Sequence, residues 1–115
     1  MNENIAILAT MAPAETARVD MMFDYASTAS AMGMGVLVFL SLDSVLIFKS
    51  GVYEKLASTT RDKIEKALAL GVKVVACAAA KDGFGVKDFG IEGIEVWGAG
   101  SFFNYAASAR ATLTL

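Results

Sequence analysis

Two stretches of the chain, Val36-Leu37-Val38-Phe39-Leu40 and Val72-Lys73-Val74-Val75-Ala76, are apolar almost without interruption. A strand with one face in water alternates apolar and polar residues. A run that fails to alternate belongs to a strand covered on both faces, which is typical of parallel sheets. Three further stretches, residues 5–10, 94–97 and 111–115, are short and strand-like. In the last of them Ala111, Leu113 and Leu115 alternate with Thr112 and Thr114, as suits a half-exposed strand.

Longer segments with helical spacing separate these runs. Alternation of strand and helix predicts βαβ units and a mainly parallel sheet in an α/β fold. The first helix is predicted to start near Pro13, where a missing N–H costs nothing, with Glu15 near the positive end of the helix dipole. Its buried stripe reads Met22, Tyr25, Ala26, Ala29 and Met32, and Gly33 or Gly35 ends it. A second helical stretch covers residues 44–49 and stops at Gly51, with a short turn over 52–56. The best-defined helix spans 60–70. Thr59 with Asp62 resembles a capping box, Ile64, Ala67 and Leu68 give the buried face, and Gly71 stops it. Ser101 is read as the cap of a last helix over 102–109. Residues 81–93 hold Gly83, Gly85, Gly90 and Gly93, and read as a loop with room for one short helix.

The length of 115 residues predicts a single domain over 1–115. The chain is 56% hydrophobic, more than one core needs, and homo-oligomerisation would cover the surplus. Its net charge is −2, with mixed signs and no run of lysine and arginine, so no nucleic-acid partner is expected. Residues 25–42 carry no charge and are long enough to be weighed as a membrane span. Ser27, Thr28 and Ser30 in their first half, Gly33 and Gly35 in the middle, and the β-branched run that follows read instead as helix, stop and strand. No span is predicted. The N-terminus lacks a basic segment followed by an apolar one, and a single cysteine excludes an intramolecular disulfide, so the cytoplasm is the default location.

The chain has no histidine, so Ser-His-Asp and Cys-His catalysis are not available within it. One cysteine without histidine argues against a structural zinc site, and no metal or other cofactor is expected. Neither GxGxxG after the first strand nor GxxxxGK[ST] occurs. Residues 10–16, TMAPAET, echo a phosphate loop but lack its glycine.

Cys77 is the leading candidate for chemistry. It follows the 72–76 run directly, and sites in open α/β sheets form beyond the carboxyl ends of strands. A helical turn starting at Ala78 would place N–H groups beside the sulfur, and Lys81 or Lys87 could add positive charge. The competing reading is packing, since free cysteine is among the most buried residue types. Thr10 after the first strand, Ser41, Asp43 and Ser44 after the second, and Trp97, Gly98, Gly100 and Ser101 after the fourth could line a pocket at the same edge. Their ordinary roles are helix capping for the serines and Asp43, a tight turn for the glycines, and aromatic packing for Trp97.

The order of elements, with AMGMGVLVFLSLDSVLIFKSG after the first helix, LALGVKVVACAAA around Cys77 and GIEGIEVWGAGSFFNYAASA late in the chain, resembles the DsrE/DsrF/TusD family of small sulfur-relay proteins. The resemblance implies a three-layer α/β/α domain, a five-stranded, mainly parallel sheet with helices on both sides, and assembly into trimers or hexamers. It also implies a sulfurtransferase-like carrier role, in which a cysteine at the position of Cys77 takes sulfur from a donor protein as a persulfide and passes it to an acceptor. Some relatives carry a second cysteine, which this chain lacks. A non-catalytic oligomeric scaffold, or a small-ligand or nucleotide-binding module using Thr10, Ser41 and Ser101, are the alternatives.

Overall fold

The computed structural model describes residues 3–115. In chain order the elements are β1 (Asn4–Ala9), α1 (Thr16–Ala31), β2 (Gly35–Leu40), α2 (Ser58–Ala69), β3 (Lys73–Cys77), α3 (Ala78–Gly83), β4 (Glu95–Trp97), α4 (Ala99–Ser108) and β5 (Ala111–Thr114). Two 3-10 stretches, Leu42–Phe48 and Tyr53–Lys55, join β2 to α2. The five strands form one sheet in the order β4-β3-β2-β1-β5. Every pairing is parallel.

This order explains the layers. Steps from β1 to β2, β3 and β4 all run the same way across the sheet. Right-handed crossovers therefore put their helices on one face. The return from β4 to β5 runs the other way and leaves α4 on the opposite face. On the first face Val19, Met22, Phe23 and Ala26 of α1 and Ile64 and Ala67 of α2 pack against Ile7, Val36, Val38, Leu40 and Val74. Ala80 of α3 also lies on this side, against Ala76, Val45 and Val86. On the second face Phe102 of α4 packs with Ala6, Leu37, Phe39 and Val75, and its ring stacks on Phe39 at 4.5 Å. The apolar runs on β2 and β3 are thus covered from both sides.

Several local expectations need correction. Pro13 lies in a turn before α1, not in its first turn. Glu15 is the residue ahead of the helix, where its carboxylate accepts the Ala12 N–H at 2.7 Å and pairs with Arg18 at 2.9 Å. Those two interactions hold its carboxyl below the usual range. The buried stripe of α1 is Val19-Met22-Phe23-Ala26, whereas Tyr25 is 55% and Met32 69% exposed. The apparent stripe fails because α1 sits over the sheet's β5 side, where no further helix follows. Ile5, Tyr25, Ala29, Met32, Met34 and Leu113 line a shallow apolar cleft there of about 310 Å³. Thr59 and Ser101 lie inside α2 and α4, which are preceded by Ala57 and Gly98, so neither is the cap residue. Gly71, at φ +91, ends α2 in the left-handed conformation that glycine tolerates best.

The core contains one titratable group with a large shift. Tyr53 is 5% exposed, stacks on Phe48 at 5.8 Å and donates its hydroxyl to Glu65 at 3.1 Å. Burial first, then the Glu65 carboxylate, push its phenol up to about 12. A raised folded-state value for a group that is neutral when protonated means that stability is intact below its ordinary value near 10. It is then lost as pH rises from about 10 to about 12, at up to ~1.4 kcal/mol per pH unit. Alkaline unfolding followed by denaturant midpoints should show this loss, and Tyr53→Phe should remove it.

Candidate functional site

The carboxyl ends of the strands gather most of the candidate residues, but the hydroxyls of Thr10, Ser41 and Ser44 are occupied. The Ala9 carbonyl at the end of β1 accepts from the Ser41 N–H at 3.0 Å, the Ser41 hydroxyl at 2.8 Å and the Ser44 hydroxyl at 3.0 Å. Ser44 also reaches the Ser41 carbonyl at 2.6 Å and is fully buried. These bonds tie the first 3-10 stretch to the neighbouring strand. Ser44→Ala would remove the hydroxyl that joins the two carbonyls while leaving each with another donor, so a loss of about 1 kcal/mol is expected in urea unfolding. Between Ser41 and Asp43, Leu42 is held at φ +50, a left-handed conformation that costs a branched side chain of order 1 kcal/mol or more. Asp43 itself is exposed.

The strand order reverses between β1 and β5, and a crevice in such sheets opens at that switch point. Here Thr10 spans it: its N–H and hydroxyl both donate to the Leu115 carbonyl, at 2.9 and 2.8 Å. Cys77 stands two strands away, at the end of β3 between β2 and β4.

Register sets the surroundings of Cys77. It pairs with Trp97 on β4, while Val75 pairs with Glu95. Alternation along the strands turns Lys73, Val75 and Cys77, with Glu95 and Trp97, toward the face that carries α4. Cys77 is half-buried there, in a cluster with Trp97 and Tyr105. The Trp97 indole is held on several sides. Its N–H donates to Glu95 at 3.3 Å, the Lys73 ammonium lies 5.5 Å from its ring centroid, and the Tyr105 ring is 6.3 Å away. Lys73 also pairs with Glu95 at 3.5 Å. Burial pushes the Tyr105 phenol up.

Cys77 is the residue immediately ahead of α3, with extended backbone at φ −67, ψ 124. Lys81 lies in the last turn of this six-residue helix, and Lys87 lies beyond it in the loop. Gly98, Gly100 and Ser101 are exposed at the start of α4. The structure therefore brings Trp97 to Cys77 and groups Ser41 with Ser44 around Ala9. Sequence reasoning missed Lys73, Glu95 and Tyr105. Glu95 and Trp97 two apart on a short strand, with a lysine at the head of β3, were the available signal, but reading it requires the β3–β4 register. Among the described residues no three side chains of metal-ligating type converge, and no helix is long and apolar enough to cross a membrane.

A five-stranded parallel sheet with helices on both faces makes this a small α/β domain. The chain matches the DsrE/DsrF-like family over residues 3–115 and belongs to it. It is similar in structure to the YchN protein from E. coli, with 22% identity and a TM-score of 0.78 over the whole of both chains. It is also similar to BT1422, a conserved protein of unknown function from Bacteroides thetaiotaomicron. There the identity is 21% and the TM-score 0.73, over 98% of this chain and 95% of that one. At these identities the likeness is one of fold. No curated protein matches the sequence.

Proposed function

We propose that this protein is a sulfurtransferase-like carrier that holds sulfur as a transient persulfide on Cys77. One observation carries the reading: in a chain of the DsrE/DsrF-like family, the single thiol stands only partly buried at the carboxyl end of an interior strand. The chemistry balances without an oxidant. The Cys77 thiolate attacks the outer sulfur of a donor protein's persulfide; the donor S–S bond breaks and its electron pair stays on the donor thiolate. An acceptor thiolate then attacks the outer sulfur now on Cys77, which leaves as thiolate. A resolving cysteine beside the cargo would discharge it as a disulfide, and the sequence holds no second cysteine.

The carrier works as a homo-oligomer, a trimer or hexamer, in the reducing cytoplasm. Exposed Tyr25, Met32 and Leu113 supply apolar surface for assembly. That cleft also favours a second reading, an oligomeric scaffold in which Cys77 merely packs. Incubation with a persulfide donor followed by mass spectrometry decides between them. An added sulfur atom on Cys77 is expected. A thiol that resists both persulfidation and alkylation across about pH 6–9, a range that brackets ordinary and activated thiols, would sink the carrier reading.

A further inference from the structure

The sheet ends in two unlike edges. β4 is three residues long and carries Glu95, with Lys73 of β3 paired to it, so charge guards that side. Residues 111–115 hold no charged side chain and no proline, which are common devices for keeping an open edge from pairing. Leu115 turns both its backbone groups to β1. Its N–H donates to the Leu8 carbonyl at 2.8 Å, and its carbonyl accepts the Thr10 N–H at 2.9 Å. By alternation Leu113 and Ala111 do the same, and the backbone groups of Thr112 and Thr114 point outward, away from β1. Exposed apolar side chains gather on both faces of this edge. Leu113, level with Ile7, shares the first face with Tyr25 and Met32, and all three line the cleft there. On the second face Phe103 is 67% exposed. Phe103 and Tyr105 lie on opposite flanks of α4 about Phe102, and Tyr105 is the one beside Trp97 of β4, so Phe103 lies on the β5 side.

We infer that the β5 edge is a twofold contact between two copies of this chain: their β5 strands pair antiparallel about an axis through Leu113 and join two five-stranded sheets into one. The inference rests on the homo-oligomer of the proposed function and specifies its contact. The register follows from the strand itself. Centring the pair on Leu113 sets Thr112 opposite Thr114 of the second copy, and these are the residues whose backbone groups point outward. Each such pair exchanges two N–H···O bonds, and the axis supplies the pair twice. Leu113 meets its own copy in the close, non-hydrogen-bonded position, with Tyr25 and Met32 of each α1 on that face and threonine pairs on the other. No charged side chain within β5 faces another. Parallel pairing, about an axis along the strands, would turn one copy over and set the α1 face of one against the α4 face of the other. The antiparallel pair keeps apolar residues with apolar ones. The area is adequate. Tyr25 and Phe103, 55% and 67% exposed, can each bury on the order of 100 Å². With Met32, Leu113 and the strand itself, the surface approaches the roughly 800 Å² per partner of a stable dimer.

The test follows the mass of the full chain by sedimentation, with thermal midpoints as the check on folding. The wild type should form an assembly with an even number of copies. Leu113→Lys sets two ammonium groups face to face and should weaken the twofold contact by at least about tenfold. Thr112→Pro removes an outward N–H, spares the bonds to β1, and should weaken the contact by a similar factor. Leu113→Cys, made together with Cys77→Ser so that it is the sole thiol, should give a disulfide-linked dimer with oxidised glutathione, because the two Cα atoms would stand about 4.5 Å apart. Val96→Cys in the same background, exposed on β4, should stay unlinked. If Leu113→Lys lowers the midpoint, Thr112→Pro and the cross-link decide. A monomeric wild type refutes the homo-oligomer and this contact together. An odd-numbered assembly, one that neither Leu113→Lys nor Thr112→Pro weakens, or cross-linking through Val96→Cys in place of Leu113→Cys refutes the β5 contact alone and leaves the homo-oligomer standing.

Discussion

If Cys77 carries the sulfur, Cys77→Ser is expected to abolish loading outright and to leave the chain folded. The loss is complete because a serine hydroxyl stays protonated at neutral pH and forms no persulfide, and no other thiol exists to take its place. Stability is expected to change by less than about 1 kcal/mol. Cys77 is only half-buried, so little packing is lost. Its backbone is extended ahead of α3, and its side chain makes no capping bond there. Serine is a preferred residue at such a position and can offset the lost sulfur contacts by capping the helix. Intact mass after incubation with a persulfide donor and a thermal midpoint measured alongside provide the check. Sulfur recovered on the serine variant would place the cargo elsewhere. A collapsed midpoint would mean that Cys77 is a packing residue first.

The second large effect concerns the fold. Phe23 is fully buried on α1 and meets the Phe48 ring edge-on, with centroids 6.1 Å apart and planes at 77°. Phe48 in turn stacks on Tyr53. These rings close the space between α1 and the irregular connection from β2 to α2, which has no long helix of its own to cover the sheet. Phe23→Ala should cost about 3–5 kcal/mol, the usual range for emptying an aromatic site in a core. Against a total of about 5–15 kcal/mol, that is a large share, and it corresponds to a fall in melting temperature of roughly 10–20 °C. Denaturant unfolding should show a lower midpoint with an unchanged slope. A loss below about 1 kcal/mol would mean that the neighbouring rings collapse into the space.

Much of this architecture was written in local patterns. The β2 and β3 runs stand out because strands covered from both sides leave no polar alternation, and Gly71 marks its helix end because few other residues accept φ +91. Where the sequence misled, the decisive information was not local. Tyr25 and Met32 have helical spacing but face the open β5 edge, and a stripe cannot announce which side of the sheet lacks a covering helix. Ser101 looked like a cap because serine usually is one, yet α4 begins at Ala99 behind Gly98. The hydroxyls of Thr10, Ser41 and Ser44 looked available for a ligand, but their carbonyl partners lie on strands distant in sequence. Cys77 was visible at once, and Trp97 was visible as an aromatic. Their adjacency, and the lysine and glutamate around them, depend on pairing between β3 and β4, which no spacing within either strand encodes.

The position of β1 between β2 and β5 has a consequence for how the chain acquires its shape. The bond from the Thr10 hydroxyl to the Leu115 carbonyl joins residues 105 apart in sequence. As the chain leaves the ribosome, β1, β2 and β3 can pair and bring Cys77 to its strand end while one flank of β1 still waits for a partner. That edge, with its unpaired backbone N–H and C=O groups, is sealed only when the last strand emerges. Such late, distant closure slows folding and leaves a nascent chain with a sticky edge. The earliest of the five strands is thus the last to be fully enclosed.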